Sequence, residues 1–93
     1  AHTASFFPDA PNLDALTDPD QRRRVMPVET DSGGEPRLTL TMPSIAGANL
    51  LVLHIEGEVK HTVLERALDA SEPRPPIARV SDAAPHLKVY WAP

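Results

Sequence analysis

The 93-residue chain has no cysteine, and this absence excludes both a disulfide scaffold and a zinc site with thiolate ligands. No apolar run approaches the roughly 20 residues that a membrane-spanning helix needs, and no charged-then-apolar leader opens the chain. A formal net charge of −4 argues against a general nucleic-acid-binding surface. These absences predict a cytoplasmic protein whose partners include neither a membrane nor a nucleic acid.

Glycine is scarce, with four residues, whereas proline is abundant, with eleven. Proline lacks a backbone donor and keeps its predecessor out of helical conformation, so the first third of the chain has room only for short helical turns. We expect Asn12 to cap one such turn at 13–16, and we expect an edge strand at 25–28 and a turn at 31–34. The prolines that divide this region are Pro8, Pro11, Pro19, Pro27 and Pro36.

After the first third, the apolar residues recur regularly. Residues 37–42 alternate between polar and apolar, which predicts a strand with leucine and methionine on its buried face. The apolar run 50–55 is typical of a strand buried on both faces of a parallel sheet. The spacing at 58–70 predicts an amphipathic helix. Two further strands are expected at 77–80 and 87–91.

The connection between the strands at 37–42 and 50–55 is short, even with the single helical turn expected after Pro43. Adjacent parallel strands need a crossover of a dozen or more residues, so these two strands are expected to lie apart or to pair antiparallel. A strand buried on both faces also needs a layer on each side, and the chain offers one good helix. We therefore expect further cover from outside these residues.

The opening segment carries the most specific motif. Residues 2–8, His-Thr-Ala-Ser-Phe-Phe-Pro, resemble the signature Asp-Gly-His-Thr-Ala-Ser-Leu-Phe-Pro of the 6-phosphogluconolactonase family. The strand at 36–43 and the run 50–60, which ends in Gly-x-x-Lys, are similar to later family motifs, and Trp91 falls near the family's terminal tryptophan strand. The chain departs from the signature at Ala1, which stands where the family has glycine, and the preceding aspartate is absent.

This resemblance implies a three-layer α/β architecture, an open Rossmann-like fold with a mostly parallel sheet of which only the C-terminal part is present. Residues 1–93 would form the C-terminal portion of a single domain. Within it, 1–36 would be a loop-rich active-site segment and 37–93 a strand-strand-helix-strand core.

The resemblance also implies an activity, the hydrolysis of 6-phospho-glucono-1,5-lactone to 6-phosphogluconate in the oxidative pentose phosphate pathway. The histidine that matches His2 is the family's base for activating water, and a histidine can be a neutral base near pH 7. Taken without the motif, a histidine in this position is more often an exposed, idle side chain. The partner implied is a phosphorylated sugar lactone, and no metal, nucleotide or redox cofactor is expected.

Two cations are candidates for binding the substrate phosphate. Lys60 lies in the first turn of the expected helix, where the helix dipole disfavours a cation, and it is either a solvated side chain or part of an anion site. Arg37 is either an ordinary strand-end arginine or a phosphate or substrate contact. The resemblance favours the binding role for both. The run 22–24 of three arginines is typical of a solvated loop, with a second phosphate-steering patch as the alternative.

The remaining histidines are weaker candidates. We expect His54 to be a hydrogen-bonded histidine in the core or at a strand end, and His61 and His86 to lie on the surface. His54 and His61 have no carboxylate at a recognised ligand spacing, so metal binding is not expected.

Two other functions remain open. A glucosamine-6-phosphate isomerase or deaminase belongs to a sister family with Gly-His-Ile-Gly-Phe-Asn at this place, so residues 3–5, Thr-Ala-Ser, favour the lactonase. The other alternative is an inactive truncated fragment. Apolar burial and chain ordering nearly cancel at this length. We therefore expect these 93 residues alone to be inactive, and to be ordered against the N-terminal half of the same enzyme or another copy.

Overall fold

The structure is a computed structural model, and it describes residues 4–29 and 37–93. The turn expected at 31–34 lies outside the described residues. In chain order the elements are α1 (Leu13–Leu16), β1 (Val25–Val28), β2 (Arg37–Leu40), α2 (Met42–Ala46), β3 (Val52–Glu56), α3 (Glu58–Asp69), α4 (Pro76–Ala83) and β4 (Lys88–Ala92).

The described strands form two separate pairs. β1 and β2 are antiparallel, with Val28 opposite Arg37. β3 and β4 are parallel, with Glu56 opposite Ala92 at their carboxyl ends, and α3 and α4 supply the long crossover that a parallel pair needs. The strands on either side of the short connection thus lie in different sheets, which confirms that they are not neighbours. The parallel pair and its covering helices agree with the expected α/β class.

Asn12 stands at the cap position of α1, but its side chain does not cap the helix. The Asn12 amide instead donates to the Pro27 carbonyl at 3.0 Å, and its oxygen accepts from the Glu29 N–H at 3.0 Å. These two bonds fasten α1 to the end of β1. The expected cap is therefore wrong, and the side chain serves a long-range contact in its place.

The strand expected at 77–80 is wrong, because these residues belong to helix α4. Pro76 occupies the first turn of this helix, where its fixed φ suits the helical conformation and its missing N–H leaves no bond unmade. Pro76 and Val80 lie four residues apart on one face of this helix, and both are buried, together with Ala78. A window of four residues was too short to distinguish this period from that of a strand.

The buried core lies between the opening segment, α1, β1, α2 and α4. Phe6 and Leu16 are fully buried in it, and Met42 is fully buried at the start of α2. The core cluster comprises Phe6, Ala10, Leu13, Leu16, Val28, Met42 and Val80. The opening segment that carries the histidine motif is therefore anchored by its own phenylalanine.

Several strand side chains expected in the interior are exposed. On β2, Thr39 is the buried residue, whereas Leu38 is 68% and Leu40 54% exposed. β3 alternates between exposed and half-buried residues, and every residue of β4 is exposed. α3 packs on one face of the parallel pair, and the other face has no cover within the described ranges. The expected burial of 50–55 on both faces is thus wrong for these residues by themselves.

Within the part of the chain that the structure describes, no helix combines the length and the apolar character needed to cross a bilayer.

Candidate functional site

The first part of the candidate site lies at the carboxyl ends of β3 and β4. Glu56 and Ala92 end the two strands side by side, and α3 begins directly after Gly57. In open α/β sheets, ligands bind beyond the carboxyl ends of parallel strands. The topology therefore places the Gly-x-x-Lys motif where this class of fold binds its ligands.

Gly57 has a backbone conformation that requires glycine. Its φ is 87° and its ψ is 156°, in a region that residues with a Cβ essentially do not enter. The Gly57 N–H donates to the Ala92 carbonyl at 2.8 Å. The Gly57 carbonyl accepts from the His61 amide at 3.3 Å and from the Trp91 indole N–H at 3.0 Å. The sharp turn from β3 into α3 is thus built from backbone groups and one tryptophan.

The N-terminus of α3 offers unused donors beside a cation. The first backbone N–H groups of any helix have no acceptor within it, and Gly57 has no side chain to cap them. Lys60 is exposed in this turn, and its ammonium group forms no ion pair or hydrogen bond with residues in the two described ranges. Glu58 shares the turn and is also exposed, so its carboxylate would compete with an incoming anion. The expected position of Lys60 on the helix is confirmed.

The second part of the candidate site joins Arg37 to the opening segment. Arg37 begins β2, and its guanidinium carbon lies 5.2 Å from the centre of the Phe7 ring, within cation–π distance. The Ser5 N–H faces the Thr39 hydroxyl oxygen of the same strand at 3.4 Å. Ala4 has a positive φ of 52°, which is uncommon outside glycine. The motif residues 4–8 therefore run against β2.

His2 lies outside the described residues, so its expected role stays a prediction. Among the described residues, no hydrogen bond or ion pair joins Lys60 to Arg37 or to the motif segment. Arg37 lies on β2 of the antiparallel pair, whereas Lys60 lies on α3, beside the parallel pair. The structure therefore brings Arg37 to the motif and Lys60 to the carboxyl ends of the parallel pair, as two separate groups.

The other histidines differ from one another in their surroundings. His54 is exposed in the middle of β3, 3.5 Å from a carboxylate oxygen of Glu56, so the expected core or strand-end position is wrong for this chain. His61 is partly covered, because its ring stacks on Trp91 with the centroids 4.4 Å apart. His86 is exposed, as expected, and contacts the Ala48 carbonyl at 2.8 Å. No metal-binding group of three histidine or acidic residues lies within 4–29 and 37–93.

The arginine run 22–24 lies at the other end of the β1–β2 pair from Arg37. The backbone carbonyls of Arg23 and Arg24 are held at the start of α2, since Thr41 donates its hydroxyl to the first and its N–H to the second. The three side chains are exposed beside a shallow cleft. This arrangement agrees with a solvated loop, the simpler of the two interpretations.

Two further arginines form fixed ion pairs around α4. Arg74 donates two hydrogen bonds to the Asp82 carboxylate, at 2.8 and 3.0 Å, and this bonding lowers the pKa of the Asp82 carboxyl group. Arg79 pairs with Asp14 at 2.7 Å and so links α4 to α1. Both arginines have carboxylate partners, which leaves them less suited than Lys60 to hold a substrate anion.

The Trp91 contacts with Gly57 and His61 were not expected from the sequence. Trp91 and His61 lie 30 positions apart on different elements, and no spacing rule links them. The feature that could have indicated these contacts is the parallel pairing of β3 with β4. This pairing brings the carboxyl ends of the two strands together, next to Gly57 and Trp91.

Known proteins resemble this chain along nearly its whole length. The family model described as glucosamine-6-phosphate isomerases/6-phosphogluconolactonase matches residues 1–91. The 6-phosphogluconolactonase of Mesorhizobium japonicum is 54% identical over 93 residues, and that of Rhizobium meliloti is 47% identical over 94. The alignments cover 99% of this chain but 39% and 40% of the two relatives.

The fold matches as well. The crystal structure of a 6-phosphogluconolactonase from Shewanella baltica superposes with a TM-score of 0.77 and 26% identity, over 99% of this chain and 40% of that one. The chain thus spans about two fifths of the length of the relatives that it matches, and it corresponds to their C-terminal part. Because the family model matches nearly its whole length, the chain belongs to the glucosamine-6-phosphate isomerase/6-phosphogluconolactonase family.

Proposed function

We propose that this chain forms the C-terminal part of an enzyme that hydrolyses 6-phospho-glucono-1,5-lactone to 6-phosphogluconate. The observation that carries the proposal is the 54% identity, along the whole chain, with a 6-phosphogluconolactonase. The geometry supports it, because Lys60, which has no partner within 4–29 and 37–93, stands with a helix N-terminus beyond the carboxyl ends of two parallel strands.

His2 is the proposed general base. In its neutral form the imidazole accepts a proton from a water molecule, and the hydroxide that forms attacks the lactone carbonyl carbon. The tetrahedral intermediate then collapses with cleavage of the ring C–O bond, and the ring oxygen takes up the proton held by the His2 imidazolium. The carboxylic acid that forms releases its proton to water. The products are a carboxylate and a hydroxyl group. The reaction needs water and a base, and we propose no cofactor for it.

Lys60 and Arg37 are the proposed contacts for the phosphorylated substrate. The Lys60 ammonium group and the first N–H groups of α3 together offer positive charge and hydrogen-bond donors to the phosphate. Arg37 stands beside the motif segment at Phe7, and a guanidinium group can bind two phosphate oxygens at once. We propose that these two groups approach the same substrate when the rest of the family fold is present.

The proposed partner is the N-terminal portion that the relatives carry and these 93 residues do not. We propose that residues 1–93 belong to one domain with it, 1–36 bringing the active-site segment and 37–93 the strands and helices. The complete enzyme is then this chain joined to that portion. We also place the enzyme in the cytoplasm, because a charged sugar phosphate does not cross a lipid bilayer unaided.

The catalytic proposal is tested in the complete enzyme with His2→Ala. We expect turnover of the lactone to fall by a factor on the order of 10²–10⁴, the usual contribution of a general base. His86→Ala is the matched control, since this histidine is exposed in the loop between α4 and β4, and its turnover should stay unchanged. Turnover of His2→Ala within twofold of the parent would remove His2 from the mechanism.

The phosphate site is tested with Lys60→Ala. If the phosphate contact is equally strong in the ground state and the transition state, KM for the phosphorylated lactone rises and kcat changes little. Hydrolysis of unphosphorylated glucono-1,5-lactone should be unaffected. Lys88→Ala is the control, because the chain has only these two lysines and Lys88 lies at the amino end of β4. Equal losses on both lactones would contradict the phosphate role.

The isolated chain offers a third test. We expect the 93 residues alone to show little or no lactonase activity, and addition of the N-terminal portion to restore it. Normal activity of the isolated chain would contradict a site divided between the two portions. Turnover of glucosamine 6-phosphate by the complete enzyme, in place of the lactone, would move the assignment to the isomerase branch of the family.

A further inference from the structure

Strand β4 holds the start of α3 through three contacts at its carboxyl end. The Trp91 indole N–H donates to the Gly57 carbonyl at 3.0 Å, and the Gly57 N–H donates to the Ala92 carbonyl at 2.8 Å. The His61 ring lies on the indole with the two planes 26° apart. Trp91 therefore contacts both the first and the last residue of the turn 57–61.

This turn needs such contacts because of the residue that begins it. Glycine has a wider choice of backbone conformations than any other residue, and Gly57 takes one that is rarely populated. Apart from its two chain neighbours, no described residue places an atom within 4 Å of the position where a Cβ would stand, so side-chain packing does not hold Gly57. Its conformation is fixed by its hydrogen bonds to β4 and α3.

Lys60 lies between the two points that Trp91 holds. The direction in which α3 leaves the sheet, and the placement of its first N–H groups, both follow from the conformation of Gly57 and from the contact at His61. Trp91 itself is 41% exposed and stands apart from the buried core cluster. Its interactions are concentrated on this turn rather than on the interior.

We propose that Trp91 is a positioning residue for phosphate binding: it fixes the 57–61 turn so that Lys60 and the first N–H groups of α3 face one ligand. The inference rests on the proposed function, since it assigns the phosphate of the lactone to this end of α3. Trp91 acts through the turn and makes no contact with the substrate.

The test is Trp91→Phe in the complete enzyme. Phenylalanine keeps an aromatic face for His61 but removes the N–H that binds the Gly57 carbonyl. We expect KM for the phosphorylated lactone to rise about two- to tenfold, as for the loss of one net hydrogen bond, with kcat nearly unchanged. Hydrolysis of unphosphorylated glucono-1,5-lactone should not change. Tyr90→Phe is the matched control, because Tyr90 points to the opposite face of β4.

A double-mutant cycle separates positioning from general destabilisation. If Trp91 acts through Lys60, Trp91→Phe should raise KM no further in a Lys60→Ala background. An equal loss of activity on both lactones would mark Trp91 as purely structural and would overturn the inference. Additive effects of the two substitutions on KM would also overturn it.

Failure of this inference is distinguishable from failure of the proposed phosphate site. An unchanged KM for Lys60→Ala overturns the phosphate site itself and the inference with it. A raised KM for Lys60→Ala together with an unchanged KM for Trp91→Phe overturns the positioning role alone. If Trp91→Phe does not fold, His61→Leu removes the stacking contact and keeps the indole hydrogen bond, and the same criteria apply to it.

Discussion

Arg79 joins two parts of the fold that are far apart in sequence, and its removal gives a quantitative test of the packing between α4 and α1. Its Nε donates to the Arg74 carbonyl at 2.7 Å. Its Nη1 donates to the Asp14 carboxylate at 2.7 Å and to the Thr17 hydroxyl oxygen at 3.0 Å. The side chain is only 18% exposed, so the bonds to Arg74 and Thr17 are largely shielded from water.

The three bonds are expected to differ in strength. The Asp14 side chain is 94% exposed, and an ion pair with an exposed carboxylate contributes about 0–1 kcal/mol. Hydrogen bonds from a charged donor to a shielded acceptor contribute about 1.5–3 kcal/mol each. The Thr17 hydroxyl also donates to the Leu13 carbonyl, so its proton stays hydrogen-bonded when Arg79 is lost. We therefore expect the bond from Arg79 to Thr17 to contribute at the low end of this range.

We therefore expect Arg79→Met to lower the free energy of unfolding by about 3–5 kcal/mol. Asp14→Asn should lower it by less than about 1 kcal/mol. In the complete enzyme the destabilisation by Arg79→Met corresponds to a fall in Tm of roughly 6–20 °C. The assay is denaturant or thermal unfolding of the two variants beside the parent. Equal destabilisation by the two substitutions would refute the reasoning, because it would assign the stability to the exposed ion pair.

Three further predictions concern the described contacts. Asn12→Ala should destabilise the complete enzyme by about 1 kcal/mol in denaturant unfolding, and Asn12→Ser should not restore the loss, because Asn12 binds Pro27 and Glu29 and not the helix end. The bond to Arg74 lowers the pKa of Asp82, so it stabilises the fold at pH values above about 4, where a free carboxyl group is also ionised. This stabilisation is lost as the pH falls through the lowered pKa and Asp82 becomes protonated. Asp82→Asn should thus lower stability at pH 7 and leave it nearly unchanged near pH 2. Gly57→Ala should cost about 1–3 kcal/mol in the same unfolding assay, through its backbone conformation alone, since a Cβ there meets no other atom.

The sequence predicted those elements whose pattern is long or sharply bounded. The amphipathic spacing after Gly57 predicted α3, which the structure places at Glu58–Asp69. The apolar run at 50–55 and the alternation at 87–91 predicted β3 and β4, and the short connection before β3 correctly separated it from β2. The four residues at 77–80 fit both the helical and the strand period, and the structure shows that they belong to helix α4.

Burial on the strands could not be predicted from these residues alone. Alternation assigns Leu38 and Leu40 to one face, but whether that face is buried depends on what packs against it. Within this chain Thr39 faces the interior, with its hydroxyl bonded to the Leu40 carbonyl. Met42 is buried because it leaves the strand and begins α2.

The candidate site was predictable where a motif marks it and unpredictable where it depends on tertiary contacts. The Gly-x-x-Lys spacing predicted the place of Lys60 on the helix, and the strand pattern predicted Arg37 at the start of β2. The cation–π contact of Arg37 with Phe7 and the contacts of Trp91 with the turn join residues about 30 positions apart. Local periodicity contains no information about such pairs.

The exposed surface of the chain indicates what the proposed partner must supply. A compact monomer of 10.1 kDa exposes about 5,300 Å², whereas this chain exposes 6347 Å². Large apolar side chains contribute to the excess on two separate surfaces, the outward face of β2 at Leu38 and Leu40 and the uncovered face of the parallel pair at Val52 and Tyr90. Neighbouring exposed leucines such as Leu38 and Leu40 are typical of a surface that another part of a protein covers, and on the parallel pair Val52 and Tyr90 share their face with His54, Glu56 and Lys88. A partner that covers both faces would necessarily contact both sheets, and so would also fix the distance between Arg37 on one sheet and Lys60 beside the other.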